Sequence, residues 1–314
     1  MAAVEPDSKM VEAPCALEVS TPVGRFAPSP TGDLHFGSLV AAVGSFLDAR
    51  ARQGQWLVRI EDIDPPREVA GAAERQLAAL AKFGMTPDRP IMYQSRSRLR
   101  HEAALDQLLD LALAYPCGCS RKDLPPDGIY PGTCRSGIPE GRQPRSVRFA
   151  VGESEVAFDD RALGLQRQVP ARQSGDFIIR RADGLIAYQL AVVIDDAAAG
   201  VTDVVRGADL LDSTARQILL QRALGFSTPR YLHLPVIVDA NGRKLSKSRA
   251  ADPVAALPAG ATLALALEAL GHPPPPGCQN LASLWTWALE HWKPARIPLG
   301  PVTVHDGRVE SYTP

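Results

Sequence analysis

Two short stretches, far apart in the chain, hold residues able to handle a phosphate chain. Residues 24–38 read Gly-Arg-Phe-Ala-Pro-Ser-Pro-Thr-Gly-Asp-Leu-His-Phe-Gly-Ser, and residues 244–248 read Lys-Leu-Ser-Lys-Ser. A loop of prolines, glycines and small polar residues leading from a strand into a helix offers backbone N–H groups and the positive end of a helix dipole. Anions and nucleotides bind at such junctions in open α/β folds. His35 and Gly37 are placed to meet a ligand with an imidazole and an approachable backbone, and Ser38 is the expected helix cap. In the second stretch Lys244 and Lys247 supply mobile cations, and Ser246 and Ser248 supply hydroxyls, to a triphosphate. Arg206 follows Val204-Val205 at the end of another expected strand, where a guanidinium suits a bidentate grip on a carboxylate. Cys117-Gly-Cys119 and the more distant Cys134 suit a metal: two thiolates on a tight turn share one cation, and a third closes the loop. No histidine lies between His101 and His233, so the nearby oxygen donors for a fourth ligand are Asp123, Asp127 and Tyr130. Each feature alone has an ordinary explanation as a turn, a surface loop, a salt bridge or free thiols.

The elements that must position these groups follow from periodicity and breakers. Val23 to Ala27 reads as a strand. Leu39 to Arg52 reads as a helix with residues 39, 40, 43, 46 and 47 on one apolar face, ended by Gly54. Gln55 to Ile60 is the next strand, with Arg59 inside it. Glu61-Asp62-Ile63-Asp64 sits at its carboxyl end before Pro65-Pro66. Strand, helix, strand predicts a right-handed βαβ unit and a parallel sheet, which puts Glu61 in the same crevice as residues 24–38. Ala70 to Phe83 and Arg96 to Ala114 read as amphipathic helices. Residues 145–199 read as short strands with a hairpin turn at Asp183-Gly184. That segment is expected to end in a nearly continuous apolar strand, Leu185 to Asp196, which carries Tyr188. Asp212 to Leu224 is a capped helix, and His233 to Val238 a strand. Beyond residue 250 come helices at Ala261–Leu270 and Leu281–Trp292, separated by Pro273 to Pro276. Trp285, Trp287 and Trp292 are expected to pack rather than to stack on bases.

Composition bounds the class. The chain has 314 residues, 22% charged and 45% hydrophobic, as in a globular protein of two or three domains or subdomains. A net charge of −1 excludes a strongly basic nucleic-acid binder but not a local basic face. No apolar run is long enough to span a membrane. The segment Met1 to Val19 carries four acidic residues and no apolar core, so no signal peptide is expected and residues 1–21 read as a disordered tail. Five cysteines, three of them within residues 117–134, fit a reducing cytoplasm with one metal site rather than a disulfide framework.

Taken together the motifs resemble class I aminoacyl-tRNA synthetases, and within them the glutamyl branch. Arg25-Phe-Ala-Pro-Ser-Pro-Thr-Gly, Leu34-His-Phe-Gly37, Arg59-Ile-Glu-Asp62, Val205-Arg-Gly-Ala-Asp209 and Lys244-Leu-Ser-Lys-Ser248 occur in family order across roughly residues 22–250. The resemblance implies a Rossmann-type α/β catalytic domain in two halves, residues 22–114 and 185–250. It also implies an inserted acceptor-type subdomain at 115–184 with the metal site, and a short helical C-terminal region at 251–314. It implies a glutamate pocket from Arg25, Phe26, Ala27, Pro28, Ser29, Glu61, Tyr188 and Arg206, with Glu61 receiving the α-ammonium. ATP would meet His35, Gly37, Ser38, Lys244, Leu245, Ser246, Lys247 and Ser248, with Mg²⁺ beside it and His35 and Lys247 acting in catalysis. A structural Zn²⁺ would sit on Cys117, Cys119, Cys134 and Tyr130. Position 136 is Ser, where zinc-containing members commonly have His, and the tyrosine is the ligand a shorter branch uses. Val192 stands where many members carry Asn.

The acceptor follows from what is short. Full-length members carry a large anticodon-binding region after the second motif, and little chain follows it here. The resemblance is to a truncated branch that activates glutamate without tRNA. That branch transfers glutamate to queuosine, the modified base at the wobble position in the anticodon loop of tRNA(Asp). A short synthetase charging a tRNA 3′ end, and a catalytically silent binding module, are the alternatives. A cytoplasmic monomer is expected.

Overall fold

A computed structural model describes residues 21–245, 253–305 and 308–311. The expected tail at 1–20 and the Ser246, Lys247 and Ser248 half of the lysine loop lie outside the described residues.

The chain opens with β1 (Val23–Phe26), α1 (Phe36–Arg50), β2 (Gln55–Ile60), α2 (Ala72–Lys82) and β3 (Met92–Tyr93). It continues through α3 (Arg98–Asp110), β4 (Ala114–Cys117), β5 (Ser146–Phe149), the hairpin β6 (Val156–Asp160) and β7 (Gly164–Gln168), short α4 (Pro170–Gln173) and β8 (Phe177–Arg180). Then come α5 (Tyr188–Ala199), β9 (Asp203–Gly207), α6 (Leu211–Leu224), β10 (Arg230–Leu234) and β11 (Ile237–Val238). The last elements are α7 (Ala259–Ala269), α8 (Leu281–His291), β12 (Val302–His305) and β13 (Arg308–Ser311).

The central sheet has the order β3-β2-β1-β9-β10-β6-β7 and is parallel apart from the β6–β7 hairpin at its edge. Strand order reverses between β1 and β9, so a crevice opens at their carboxyl ends, beyond Phe26 and Gly207. That is where open parallel sheets bind ligands. Alternating residues of β9 show two covered faces. Val205 packs into the cluster of Leu39, Val43 and Leu47 of α1, whereas Val204 packs with Ala215 and Ile218 of α6. Successive strand side chains point to opposite faces, so α1 and α6 cover opposite sides of the sheet. A second sheet, β4-β5-β8, carries the cysteine segment.

The segment expected as a strand at 185–196 is helical from Tyr188 on, with Ile186 before it bridging Arg180. Its apolar run reflects burial on all sides: Leu190, Ala191, Val192, Val193 and Ile194 are all buried. Twelve residues is long for a strand, three alanines close the run, and Gly200 caps it at φ 70° in the left-handed region. Two further expectations shift. His35, not Ser38, caps α1: the helix begins at Phe36, and the His35 imidazole accepts from the Ser38 N–H. The strand expected at 233–238 divides into β10 and β11 around Pro235-Val236, because proline cannot donate to a ladder. The C-terminal region adds a β12–β13 hairpin, joined to β11, to its two helices. The tryptophans pack as expected. Trp285 lies against Phe46 with ring centroids 4.9 Å apart and donates to the Phe83 carbonyl, and Trp292 donates to buried Asp48.

Asp48 ties three parts of the fold. Its two oxygens receive both terminal nitrogens of Arg161 at 2.6 and 2.7 Å, anchoring the β6–β7 turn to α1 while Trp292 holds the C-terminal region. Removing the acid leaves the partly buried Arg161 with only the longer contact to Asp203 at 3.7 Å. Asp48→Ala should cost on the order of 3 kcal/mol. Urea unfolding reads this as a lower midpoint, and an unchanged midpoint would show that Arg161 finds another partner.

Candidate active site

The crevice beyond β1 and β9 is a cavity of about 520 Å³. The loop after β1 supplies one wall: Phe26, Ala27, Pro28, Ser29, His35, Gly37 and Ser38 all line it. His35 is fixed rather than swinging. Its Nδ1 accepts from the Ser38 N–H at 3.2 Å, so in the neutral ring Nε2–H donates to the Ser38 hydroxyl at 3.0 Å. Burial, and then the Lys244 charge, hold His35 below the ordinary histidine range, so the ring is neutral near pH 7. Gly37 lets the imidazole lie against the helix start, since a Cβ there would stand 3.2 Å from two ring atoms.

The opposite side of the cavity is charged. Arg25, on β1, donates from Nε to both oxygens of Asp196 at 3.1 and 3.2 Å. Arg59, on β2 and 1% exposed, donates to Asp196 at 2.6 Å and to Glu61 at 3.1 Å. Burial opposes the charges of Arg59 and Asp196, but each is overcome by its partners: Arg59 stays well above and Asp196 below its ordinary range. Glu61 is held the other way. Burial pushes its carboxyl up and Arg59 and Arg25 only partly offset this, so a cation arriving in the cavity would complete its environment. The sequence pattern places Asp196 at the end of an expected strand. As part of helix α5 it is the acid that holds two of the site's arginines.

Arg206 sits at the end of β9, 5% exposed, with each nitrogen assigned. Nε donates to His233 Nε2 at 3.2 Å, one terminal nitrogen to Gln217 at 2.7 Å and the other to Thr214 at 2.8 Å. His233 in turn places Nδ1 2.6 Å from buried Asp160. With Nε2 accepting, Nδ1 carries the proton, and the ring is neutral. Thr214 and Gln217 stand three apart on α6, one helical face, but nothing in the sequence marked them as partners of Arg206. Tyr188, the first residue of α5, also lines the cavity, and burial raises its phenol.

Lys244 reaches the cavity and pairs with Asp209 at 2.6 Å, a contact that cradles the loop entrance. Leu245 instead packs toward the α7 side, against the main core.

The expected metal ligands converge. The sulfurs of Cys117, Cys119 and Cys134 lie within 4.8 Å of one another and all three residues are buried. The Tyr130 Oη stands 3.4 Å from Cys117 and 3.6 Å from Cys119, and Cys119 lies 3.6 Å from Cys134. A tetrahedral ion with metal–sulfur bonds near 2.3 Å sets sulfur atoms roughly 3.8 Å apart, and oxygen roughly 3.5 Å from sulfur. These four donors therefore fit one such ion. Burial opposes ionisation of Cys117, but Tyr130, the Cys119 N–H and Arg148 outweigh it and bring the thiol to about 7. Asp123 and Asp127 are engaged elsewhere, with Ser120 and Arg142 and with the Ile129 N–H. Gly175, at φ 60° between α4 and β8, makes an isolated bridge to Tyr130, where a Cβ would collide with the tyrosine backbone.

A buried neutral His233 has a pH consequence. Burial holds its folded pKa below the ordinary value of 6.5, with the Asp160 contact pulling the other way. As pH falls through 6.5 the unfolded chain binds a proton that the folded chain refuses, so stability drops on the acid side. His233→Gln keeps an acceptor but cannot titrate. Its urea midpoint should fall less between pH 7 and pH 5 than the parent's, and an identical acid decline would show that His233 titrates freely when folded.

The motifs and this geometry agree with what the chain is similar to. Residues 21–126 and 134–256 match the family described as tRNA synthetases class I (E and Q), catalytic domain. The chain is 52% identical over 286 residues to the glutamyl-Q tRNA(Asp) synthetase of Chromobacterium violaceum, covering 89% of this chain and 96% of that protein. It is 57% identical over 258 residues to the one from Burkholderia orbicola, covering 76% and 86%. In fold it is similar to the glutamate tRNA ligase of Elizabethkingia meningosepticum, solved with its amino acid, at 24% identity and a TM-score of 0.74, spanning 88% of this chain and 66% of that one. The chain belongs to the glutamyl-Q tRNA(Asp) synthetase family, within the class I synthetases for glutamate and glutamine.

Proposed function

We propose that this chain activates glutamate with ATP and transfers it to queuosine in tRNA(Asp). The observation that carries this is the identity of 52% across 96% of a relative bearing that activity's name, together with a cavity charged for a dicarboxylic amino acid. A glutamate carboxylate attacks the α-phosphorus of ATP, pyrophosphate leaves, and glutamyl-adenylate forms. A hydroxyl of the queuosine cyclopentene diol then attacks the adenylate carbonyl, giving the ester and AMP. No protein nucleophile is needed; the protein positions the reactants and places positive charge where phosphate charge builds.

Glu61 takes the ammonium, Arg25 and Arg206 take carboxylates, and Tyr188 closes the pocket. Replacing the side-chain carboxylate by an amide leaves a buried arginine without its anion, which favours glutamate over glutamine. The loop Phe26 to Ser29 leads to His35 and Gly37, where the nucleotide phosphates meet the α1 terminus. Lys244 and Ser38 stand at that end, and Leu245, Ser246, Lys247 and Ser248 complete the lysine loop, with Mg²⁺ accompanying ATP. His35 acts in catalysis as a neutral imidazole beside the phosphates and Lys247 as the catalytic cation. The metal site is best filled by zinc, held by Cys117, Cys119, Cys134 and Tyr130. Four protein ligands leave no open position, so the ion supplies structure rather than reaction chemistry. Among the described residues no helix is long and apolar enough to cross a membrane. We read the protein as a cytoplasmic monomer, on the reduced state of the buried cysteines.

Two experiments test this. Glutamate-dependent ATP–pyrophosphate exchange should proceed with no RNA present, and tRNA(Asp) containing queuosine should accept labelled glutamate while the same tRNA lacking queuosine does not. Charging of tRNA(Glu) at its 3′ end, with none at queuosine, would replace this reading by the short tRNA-charging one. Metal analysis should give one zinc per chain, lost in the Cys117→Ser/Cys119→Ser variant. Full zinc content in Tyr130→Phe would exclude the tyrosine as a ligand.

A further inference from the structure

A second cleft, of about 830 Å³, shares a wall with the active cavity. The wall is a hydrogen-bonded chain across α5 and α6. Arg206, in the cavity, donates to Gln217; Gln217 donates to Gln189 at 3.0 Å; Gln189 donates to Ser213 at 3.0 Å; and Arg216 reaches Ser213 at 3.3 Å. Gln189 and Arg216 line the second cleft, and Tyr188, one residue earlier, lines the cavity.

The lining of this cleft is strongly basic in a chain whose net charge is −1. Arg121, Arg145, Arg148, Arg181 and Arg216 face it, against Asp176 and Asp183. Some of that charge is already used. Arg148 serves Cys117 and the Asp176 carbonyl, Arg181 pairs with Asp64 and Asp183, and Asp176 is taken by Arg135. Arg121, Arg145 and Arg216 form no ion pair among the described residues. Arg216 is the telling one. It is half-buried, its Nε has no hydrogen-bond partner, and burial pulls its pKa down because Asp212 offsets too little. The buried Ser146 hydroxyl in the same cleft is also without a partner. A desolvated guanidinium without an acid is unfavourable in the free protein, and a phosphate with two oxygens for its planar fork supplies the missing charge.

We propose that this cleft seats the sugar–phosphate backbone of the RNA arm whose base enters the active cavity, with Arg216 contacting the phosphate nearest the shared wall. The proposal rests on the reading that an RNA nucleotide is the glutamate acceptor. An unstacked nucleotide entering a pocket must leave its neighbours' phosphates outside it, and Arg216 is joined to Arg206 of the cavity through Gln217, Gln189 and Ser213. An acidic protein segment would satisfy the charges but would have no base to deliver, so RNA is the occupant.

The test uses the full chain, Arg216→Gln and Arg216→Lys. Binding of a fluorescent tRNA(Asp) anticodon stem-loop is followed by anisotropy at several salt concentrations, beside RNA-free ATP–pyrophosphate exchange. In Arg216→Gln, stem-loop affinity should fall about tenfold and the log–log salt slope should become shallower by about one. Exchange and its glutamate KM should be unchanged, and Arg216→Lys should recover the slope. Unaltered affinity and slope in Arg216→Gln, no stem-loop binding by the parent chain, or a parallel fall in exchange would each overturn the proposal. Glutamylation of queuosine-containing tRNA(Asp) by the parent chain separates the two ideas. If the stem-loop binds through Arg216 but is never glutamylated, the acceptor reading fails while the cleft stands.

Discussion

Two buried arginines on neighbouring strands share one acid, and much of the active crevice depends on that sharing. Arg25 and Arg59 point from β1 and β2 into the same region, and neither could stay charged and dry alone. Asp196 answers both, and Glu61 takes the remaining side of Arg59. The result is an alternating row, Arg25–Asp196–Arg59–Glu61, whose outer members face the cavity. Fixed charges of this kind need not reorganise when a zwitterionic substrate arrives, which is the physical advantage of building the site into strands rather than loops.

That row also explains why α5 must be a helix in this place. Its last turn carries Asp195 and Asp196 side by side, and successive helix residues point about 100° apart. Asp196 turns to the arginines, whereas Asp195 accepts from Gln94 and His101, pinning α5 to α3 and the segment before it. A strand would send the two acids to opposite faces of the sheet, and one would meet the core. The signals for a helix are the length of the run, the three alanines that close it and Gly200 after them. The sequence pattern alone, buried on all sides, carries no period to read.

The parts legible in the sequence were those set by local chemistry. Glycine and proline marked the loop after β1, Gly54 marked the end of α1, and the Cys-x-Cys pair with Cys134 marked the buried cysteine cluster, the tyrosine beside it coming from the family resemblance. Arg25, Glu61, Arg206 and Tyr188 meet in one cavity as the motifs implied. The parts not legible depend on distant pairing. Nothing near Arg206 announces Thr214, Gln217, His233 or Asp160, which come from α6, β10 and a hairpin contributed by the middle of the chain. Likewise His35 displaces Ser38 as the cap because the imidazole, packed over Gly37, reaches the Ser38 N–H first.

Arg148 is one of several ties between the cysteine segment and the chain that leads to the crevice, beside the Arg135–Asp176 pair and the Tyr130–Gly175 bridge. Arg148 lies over the Tyr130 ring, 3.7 Å from its centroid, donates to the Cys117 sulfur at 3.3 Å and to the Asp176 carbonyl at 2.6 Å. Asp176 precedes β8, β8 leads through Asp183-Gly184 to Ala187, and Ala187 caps α5, whose first residue is Tyr188. Each contact in that path is short and buried at its start. A loosened cysteine cluster would therefore release Tyr130 and Arg148 and bear, through the segment before α5, on Tyr188 in the pocket wall. The three-cysteine cluster can in this way bear on the shape of a site in whose chemistry it has no part.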